Sequence, residues 1–115
     1  MLFDVTAALE VTAGSQELLL EILGMFESQV REDLAVLKAA LASGDVAKVR
    51  DISHRIKGTC GGVAAEELRH WAALIEAESK TGVVQNVDAY LAKMDDCFSA
   101  TVREMCVWRC NVAPK

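Results

Sequence analysis

Residues 15–45 read SQELLLEILGMFESQVREDLAVLKAALASGD, and this stretch carries one continuous helical pattern. Apolar residues recur in it at steps of three or four, which places them on one face of an α-helix. These apolar positions are Leu19, Leu23, Phe26, Val30, Leu34, Leu37 and Leu41. Ser15 is suited to cap the start of this helix, Gly44 to end it and Asp45 to cap the next one. The stretch therefore predicts a helix of about six turns, followed by a short connection and a second helix.

Segments with the same periodicity lie on both sides of this helix. Residues 4–11 are amphipathic and predict a short extra helix at the N-terminus. Further helices are predicted over about 46–60, 66–82 and 84–105, with glycines between them. Four main helices with short connections indicate an all-α fold, an antiparallel up-down four-helix bundle with a short extra N-terminal helix. We expect residues 107–115 to form a frayed or loosely docked tail.

Composition limits the possible classes of protein. The chain has the length of one domain, which we expect to span 1–115 with its core at about 15–105. Hydrophobic residues make up 52% of it, and its one proline, Pro114, leaves the helical patterns free of proline breaks. The net charge of −5 argues against a nucleic-acid binder. No apolar run has transmembrane length and no signal-peptide pattern begins the sequence, so we expect a cytoplasmic protein without a membrane partner.

The four cysteines do not form a pattern typical of a metal site or a disulfide framework. The only close pair, Cys106 and Cys110, has neither the two-residue gap of a zinc knuckle nor a histidine nearby. Cys60 and Cys97 stand alone in helical segments. Because free cysteine behaves as a small apolar side chain, we expect packed or tail thiols and no metal.

His54 breaks the simple bundle pattern. On the helix that follows Asp45, the core face is formed by Val49, Ile52, Ile56 and Cys60, and His54 falls nearly opposite to it. The neighbours of His54 on the exposed side are small or basic: Ala47, Arg50, Lys57, Gly58 and Gly61. We therefore expect His54 on an exposed strip with little bulk around it and positive charge beside it.

Gly58 is the informative member of this strip. A glycine inside a helix costs about 1 kcal/mol relative to alanine, and packing within this chain does not explain an exposed one. An open position one turn from His54 gives a large partner access to the imidazole, and Lys57 can bring an ammonium group to the same point. A neutral imidazole is a nucleophile near pH 7, so a phosphoryl acceptor fits these residues. From the residues alone, a solvated surface histidine fits them as well.

The stretch from His54 to Leu68 reads HRIKGTCGGVAAEEL and resembles the signature of histidine phosphotransfer (HPt) domains. The matching positions are His54, Lys57, Gly58, Val63, Ala64 and Leu68, and the likeness continues to Ile75-Glu76. Two positions depart from the family pattern, since Ala64 stands where glycine is common and Ala72 where cysteine is common. Both changes replace one small residue by another.

The resemblance implies a bundle that carries phosphoryl groups between receiver domains in a multistep phosphorelay. His54 would accept the group on Nε2 from a receiver aspartate and pass it to another receiver, while Lys57 steadies it. Gly58, Arg50, Ala47 and Gly61 would form the contact surface. The partners would be receiver domains of response regulators and of hybrid sensor kinases. The receiver would supply Mg²⁺, so this chain, expected to be a monomer, would need no cofactor and would have no ATP-dependent kinase activity.

Two alternatives belong to other classes. The helical dimerisation and phosphoacceptor part of a sensor kinase normally has an acidic residue after its histidine and a Thr-Pro nearby, but this sequence has Arg55 and no proline there. A non-catalytic helical adaptor that binds a response regulator would not need the combination of His54, Lys57 and Gly58. His70, the second histidine, lacks a lysine and a glycine at the same spacings and is expected to be a plain surface residue.

Overall fold

The computed structural model describes residues 2–82 and 84–112, which form five α-helices. They are α1 (Val5–Val11), α2 (Gln16–Ser43), α3 (Val46–Gly61), α4 (Glu66–Lys80) and α5 (Val87–Val112). From α2 onwards each helix packs against the next one in the chain, and α5 packs back against α2 and closes the bundle. The prediction of an all-α four-helix bundle with a short extra N-terminal helix is confirmed.

The predicted caps of α2 and α3 are present. The Ser15 hydroxyl accepts a hydrogen bond from the Leu18 amide at 3.1 Å, and α2 ends at Gly44 with φ of 75°, a left-handed conformation that glycine adopts without strain. The Asp45 carboxylate then accepts from the Lys48 amide at 3.1 Å and starts α3. These caps fix the tight reversal that sets α3 antiparallel to α2.

The core is formed by the faces that the periodicity predicts. On α2 the apolar stripe is buried except for Leu41, which is half-buried, and on α3 the buried apolar residues are Val49, Ile52, Ile56 and Cys60. Burial raises the pKa of the Cys60 thiol to about 12, so this cysteine is a packed apolar side chain, as expected. Within the described ranges, no helix is both long enough and apolar enough to span a bilayer.

The connection from α3 to α4 contains an alanine in an unfavourable backbone conformation. Ala64 has φ of 57°, in the left-handed region that costs a non-glycine residue about 1–2 kcal/mol. The Asp4 amide donates to the Ala64 carbonyl at 3.3 Å, so the N-terminal segment packs on this turn. The departure from glycine at this position therefore affects the backbone, whereas the sequence indicated only a small change in size.

The last helix begins later than predicted. It starts at Val87, because residues 84–86 form a turn after Gly82, which has φ of 80°. The Asn86 amide in this turn donates to the Glu78 carboxylate at 2.6 Å. This contact ties the turn before α5 to α4. The local periodicity, which placed Val84 in the helix, does not show it.

The last helix also ends later than predicted. Residues 107–112 continue α5, where we expected a frayed or loosely docked tail from residue 107, and 113–115 lie outside the described residues. Trp108 packs edge-to-face on Phe3 with ring centroids 6.2 Å apart, and Arg109 donates to Glu27 at 3.1 Å. Both partners lie far away in the sequence, which is why the local pattern does not show them.

Replacing Trp108 by alanine tests whether this end of α5 is docked. Because the half-buried ring contacts Phe3, we expect Trp108→Ala to lower the free energy of unfolding by about 1–3 kcal/mol in urea denaturation. The neighbouring Val107 is 64% exposed, and Val107→Ala should change the free energy of unfolding by no more than about 0.5 kcal/mol. Equal small effects of both variants would mean that residues 107–112 are not docked.

Candidate functional site

His54 lies on the outer face of α3, where the sequence places it. Its side chain is 69% exposed, while Ser53 beside it is buried. Four other exposed residues share its side of the helix at intervals of three or four: Ala47, Arg50, Gly58 and Gly61. Lys57 lies at the edge of this strip with 27% of its side chain exposed. The structure thus brings all six predicted site residues onto one face of α3.

A buried carboxylate on α4 binds both chemically important side chains. Glu76 is 6% exposed, and its Oε2 lies 2.7 Å from Nδ1 of His54. Its other oxygen, Oε1, accepts a hydrogen bond from Nζ of Lys57 at 2.6 Å. Nζ of Lys80, one turn further along α4, lies 3.7 Å from Oε2. Glu76 therefore holds His54 and Lys57 in fixed positions relative to each other.

The pKa of Glu76 indicates its charge state. Burial alone would raise this pKa, but hydrogen bonds from Lys57 and His54 and the charges of Lys57 and Lys80 outweigh burial and lower it below the ordinary value. Glu76 is thus ionised at neutral pH and can only accept hydrogen bonds. Since His54 must then donate from Nδ1, its neutral ring carries the lone pair on Nε2.

The space around Gly58 is open. A Cβ atom added to this residue would meet nothing within 4 Å, so no close contact inside the molecule requires a glycine here. The residue lies one turn after His54 on the exposed strip. The structure therefore removes a packing explanation for Gly58 and leaves an approach to the imidazole unobstructed.

An apolar groove of about 230 Å³ lies between α2 and the end of α3. It is lined by Ile22, Met25, Phe26, Gln29, Thr59, Gly62 and Val63. Met25 is 71% exposed, which is unusual for an apolar side chain of this size. Because Gly62 and Thr59 flank Gly58 and Gly61 in sequence, the groove continues the exposed strip on α3.

The basic side chains near His54 are largely paired with acids, which the sequence did not indicate. Arg55 turns to α2 and binds the buried Asp33 through two hydrogen bonds, of 2.5 and 3.2 Å. Arg50 contacts Asp51 at 3.4 Å on the surface. The positive charge expected beside His54 is therefore partly neutralised, and Arg55 ties α3 to α2.

The second histidine has a different environment. His70 is exposed on α4, and its ring packs edge-to-face on Trp71 with centroids 5.4 Å apart. It has neither the buried carboxylate nor the neighbouring lysine that accompany His54. This agrees with the expectation of a surface residue.

The local sequence pattern does not indicate the roles of Glu76, Lys80 and Asp33. Glu76 appears there only within the matching pair Ile75-Glu76, because its contact with His54 joins residues 22 positions apart. The signal that could have identified it is an acidic residue on the buried side of α4, since a carboxylate in such a position requires a partner. Lys80, four residues later on the same helix, was the corresponding signal for a second cation.

Comparison with known proteins identifies the family. A family model described as the Hpt domain matches residues 21–104, which is most of the chain. The chain belongs to the Hpt domain family. This Hpt domain is 29% identical over 102 residues to the phosphorelay protein LuxU of Vibrio vulnificus, in strain YJ016 and in strain CMCP6. The match covers 89% of this chain and 86% of LuxU.

A solved structure confirms the fold of this Hpt domain. Histidine-containing phosphotransfer protein B (HptB) from Pseudomonas aeruginosa PAO1 matches with a TM-score of 0.89 over 96% of each chain, at 22% identity. With the family match, the function of the Hpt domain is histidine phosphotransfer in phosphorelay signalling, and its partners are receiver domains.

Replacing Glu76 by glutamine tests the buried ion pairs through pH. The pKa of Glu76 is lower in the folded protein than in the unfolded chain, where it is about 4.3. Ionised Glu76 therefore contributes its full stabilisation above about pH 4.3. This stabilisation is lost as the pH falls through the folded pKa. We expect Glu76→Gln to lower the free energy of unfolding by about 1–3 kcal/mol at pH 7. This difference from wild type should shrink below about pH 4.

The exposed Glu21 on α2 provides the control. Glu21→Gln should change the free energy of unfolding by no more than about 0.5 kcal/mol at pH 7. A Glu76→Gln deficit that grows in acid would contradict the proposed charge state of Glu76.

Proposed function

We propose that His54 is the phosphoryl acceptor of this Hpt domain, taking the group on Nε2 from a receiver aspartate and passing it to another receiver. The observation that supports this most strongly is the hydrogen bond from Nδ1 of His54 to the buried Glu76 carboxylate. It leaves Nε2 with the lone pair on a side chain that is 69% exposed. An accessible ring nitrogen with a free lone pair is what nucleophilic attack on phosphorus requires.

The transfer exchanges one bond for another. The Nε2 lone pair attacks the phosphorus of the aspartyl phosphate, the new N–P bond forms, and the P–O bond to the aspartate breaks. The aspartate leaves as a carboxylate, and the proton on Nδ1 stays in place. Positive charge then develops on the imidazole ring, and Glu76 stabilises it from the opposite side through Nδ1. Transfer to a second receiver is the same step in reverse.

Lys57 balances the negative charge of the phosphoryl oxygens. It stands three residues after His54 on α3, which places both side chains on the same side of the helix. Its ammonium group carries three donors, of which one is engaged by Glu76 at 2.6 Å. The remaining donors are available to a phosphoryl group on Nε2. Lys57 thus acts as the cation of the site, and Glu76 orients it.

The receiver docks on the exposed strip of α3 and supplies the rest of the chemistry. Ala47, Gly58 and Gly61 present little bulk, Arg50 adds a positive charge, and the apolar groove with Met25 offers surface for a helix of the receiver. The receiver brings Mg²⁺ and most catalytic groups, so this chain needs no cofactor and no ATP. We propose that the protein acts as a cytoplasmic monomer, with receivers of response regulators and hybrid sensor kinases as partners.

Removal of the acceptor tests the assignment. We expect His54→Gln to abolish the uptake of ³²P from a labelled receiver, because no other ring nitrogen is held by Glu76, and to leave the helical content unchanged. The bond formed by the wild type should be labile in acid and stable in base. His70→Gln is the matched control and should accept label at the wild-type rate. Undiminished labelling of His54→Gln would refute the acceptor assignment.

Filling the open position tests receiver access. Because a Cβ atom added at residue 58 would meet no heavy atom within 4 Å, Gly58→Ala and Gly58→Leu should retain or raise the free energy of unfolding, by up to about 1 kcal/mol. The rate of transfer should nevertheless fall, and fall further with leucine. Ala92 is exposed on α5, so Ala92→Leu adds comparable bulk away from α3 and should not slow transfer. Normal transfer by Gly58→Leu would remove the access argument.

A further inference from the structure

Lys80 is a charged residue near the site for which the transfer chemistry above has no role. Its Nζ lies 3.7 Å from Oε2 of Glu76, at a distance longer than a hydrogen bond, and its side chain is 61% exposed. Glutamate four residues before lysine on a helix is a favourable orientation, so the spacing on α4 keeps Lys80 beside Glu76. Glu76 therefore has two cations nearby: Lys57 is hydrogen-bonded to it, and Lys80 lies at a longer distance.

Phosphorylation changes the charge balance around Glu76. Before transfer, the buried carboxylate is balanced by Lys57, which is bonded to Oε1 at 2.6 Å. A phosphoryl group brings about two negative charges, which attract the Lys57 ammonium towards Nε2 of His54. The positive charge that develops on the His54 ring offsets only about one of these negative charges, so the surroundings of Glu76, which is 6% exposed, become more negative.

We propose that Lys80 is a positioning residue that supplies a larger part of the compensation of Glu76 when the phosphoryl group attracts the Lys57 ammonium. This inference rests on the proposed role of His54. Lys80 can make the change without a movement of the backbone, because its flexible side chain already lies near Oε2 and needs to shorten the 3.7 Å separation only by about 1 Å. Lys80 thereby stabilises the phosphorylated protein more than the free protein.

The equilibrium constant of phosphoryl exchange measures this difference. A single labelled receiver is equilibrated with wild type, Lys80→Gln or Lys38→Gln, and the label on each partner is counted. Lys38 is the matched control because it also loses one positive charge from an ion pair, here with Asp95 at 2.8 Å between α2 and α5. We expect Lys80→Gln to shift the equilibrium towards the phosphorylated receiver by about two- to fivefold, and Lys38→Gln to shift it by less than about 1.5-fold.

Repeating the experiment in protein that carries Glu76→Gln distinguishes action of Lys80 through Glu76 from direct action of Lys80 on the phosphoryl group. In protein that already carries Glu76→Gln, adding Lys80→Gln should change the equilibrium constant by less than about 1.5-fold, since no buried charge remains to be compensated. An equal shift in both backgrounds would overturn the positioning role. Thermal unfolding of unphosphorylated Lys80→Gln should match that of Lys38→Gln, because the free protein keeps Lys57 on Glu76.

The outcomes separate this inference from the function on which it rests. Wild-type protein that takes up no label overturns the acceptor role of His54 and the inference with it. Normal uptake by wild type, together with equal equilibrium constants for Lys80→Gln and Lys38→Gln, overturns the inference alone and leaves the acceptor role standing.

Discussion

The carboxylate of Glu76 is the group on which the site depends. It is buried between α3 and α4 and forms short contacts with Nδ1 of His54 and Nζ of Lys57. A buried charge is retained only where partners compensate it, so the fold and the site constrain each other at this point. The same contact joins α4 to α3 and leaves the lone pair of the neutral His54 ring on Nε2.

Much of the fold follows from local sequence. The helix-length apolar stripe, the Ser15 cap and the Gly44-Asp45 reversal each depend on residues close together in the chain, and all are present in the structure. Both ends of α5 were predicted less well. The end of α5 is held by Phe3 and Glu27, which lie far away in the sequence, and its start follows a turn fixed by Glu78 on α4. Contacts between different elements therefore decide these boundaries.

The site was predictable only in part, because local spacing reveals some of its residues and contacts between helices supply the others. His54, Lys57 and Gly58 lie within two turns of one helix, so their spacing placed them on the same exposed side. The contribution of Glu76 comes from another helix and becomes visible only when α3 and α4 are packed together. Asp33 is a similar case, since its pairing with Arg55 also joins residues 22 positions apart and directs that guanidinium towards α2. Local patterns pointed to His54 as the proposed acceptor, and tertiary contacts show how its ring is oriented.

Nitrogen and phosphorus NMR of protein labelled with ¹⁵N in its histidines tests the central claim most directly. In the free protein, the His54 ring should be protonated on Nδ1, with Nε2 carrying the lone pair. After phosphorylation, ³¹P should couple to Nε2 of His54, and the Nδ1 proton should remain in its hydrogen bond to Glu76. A phosphoryl group on Nδ1, or on a residue other than His54, would contradict the account.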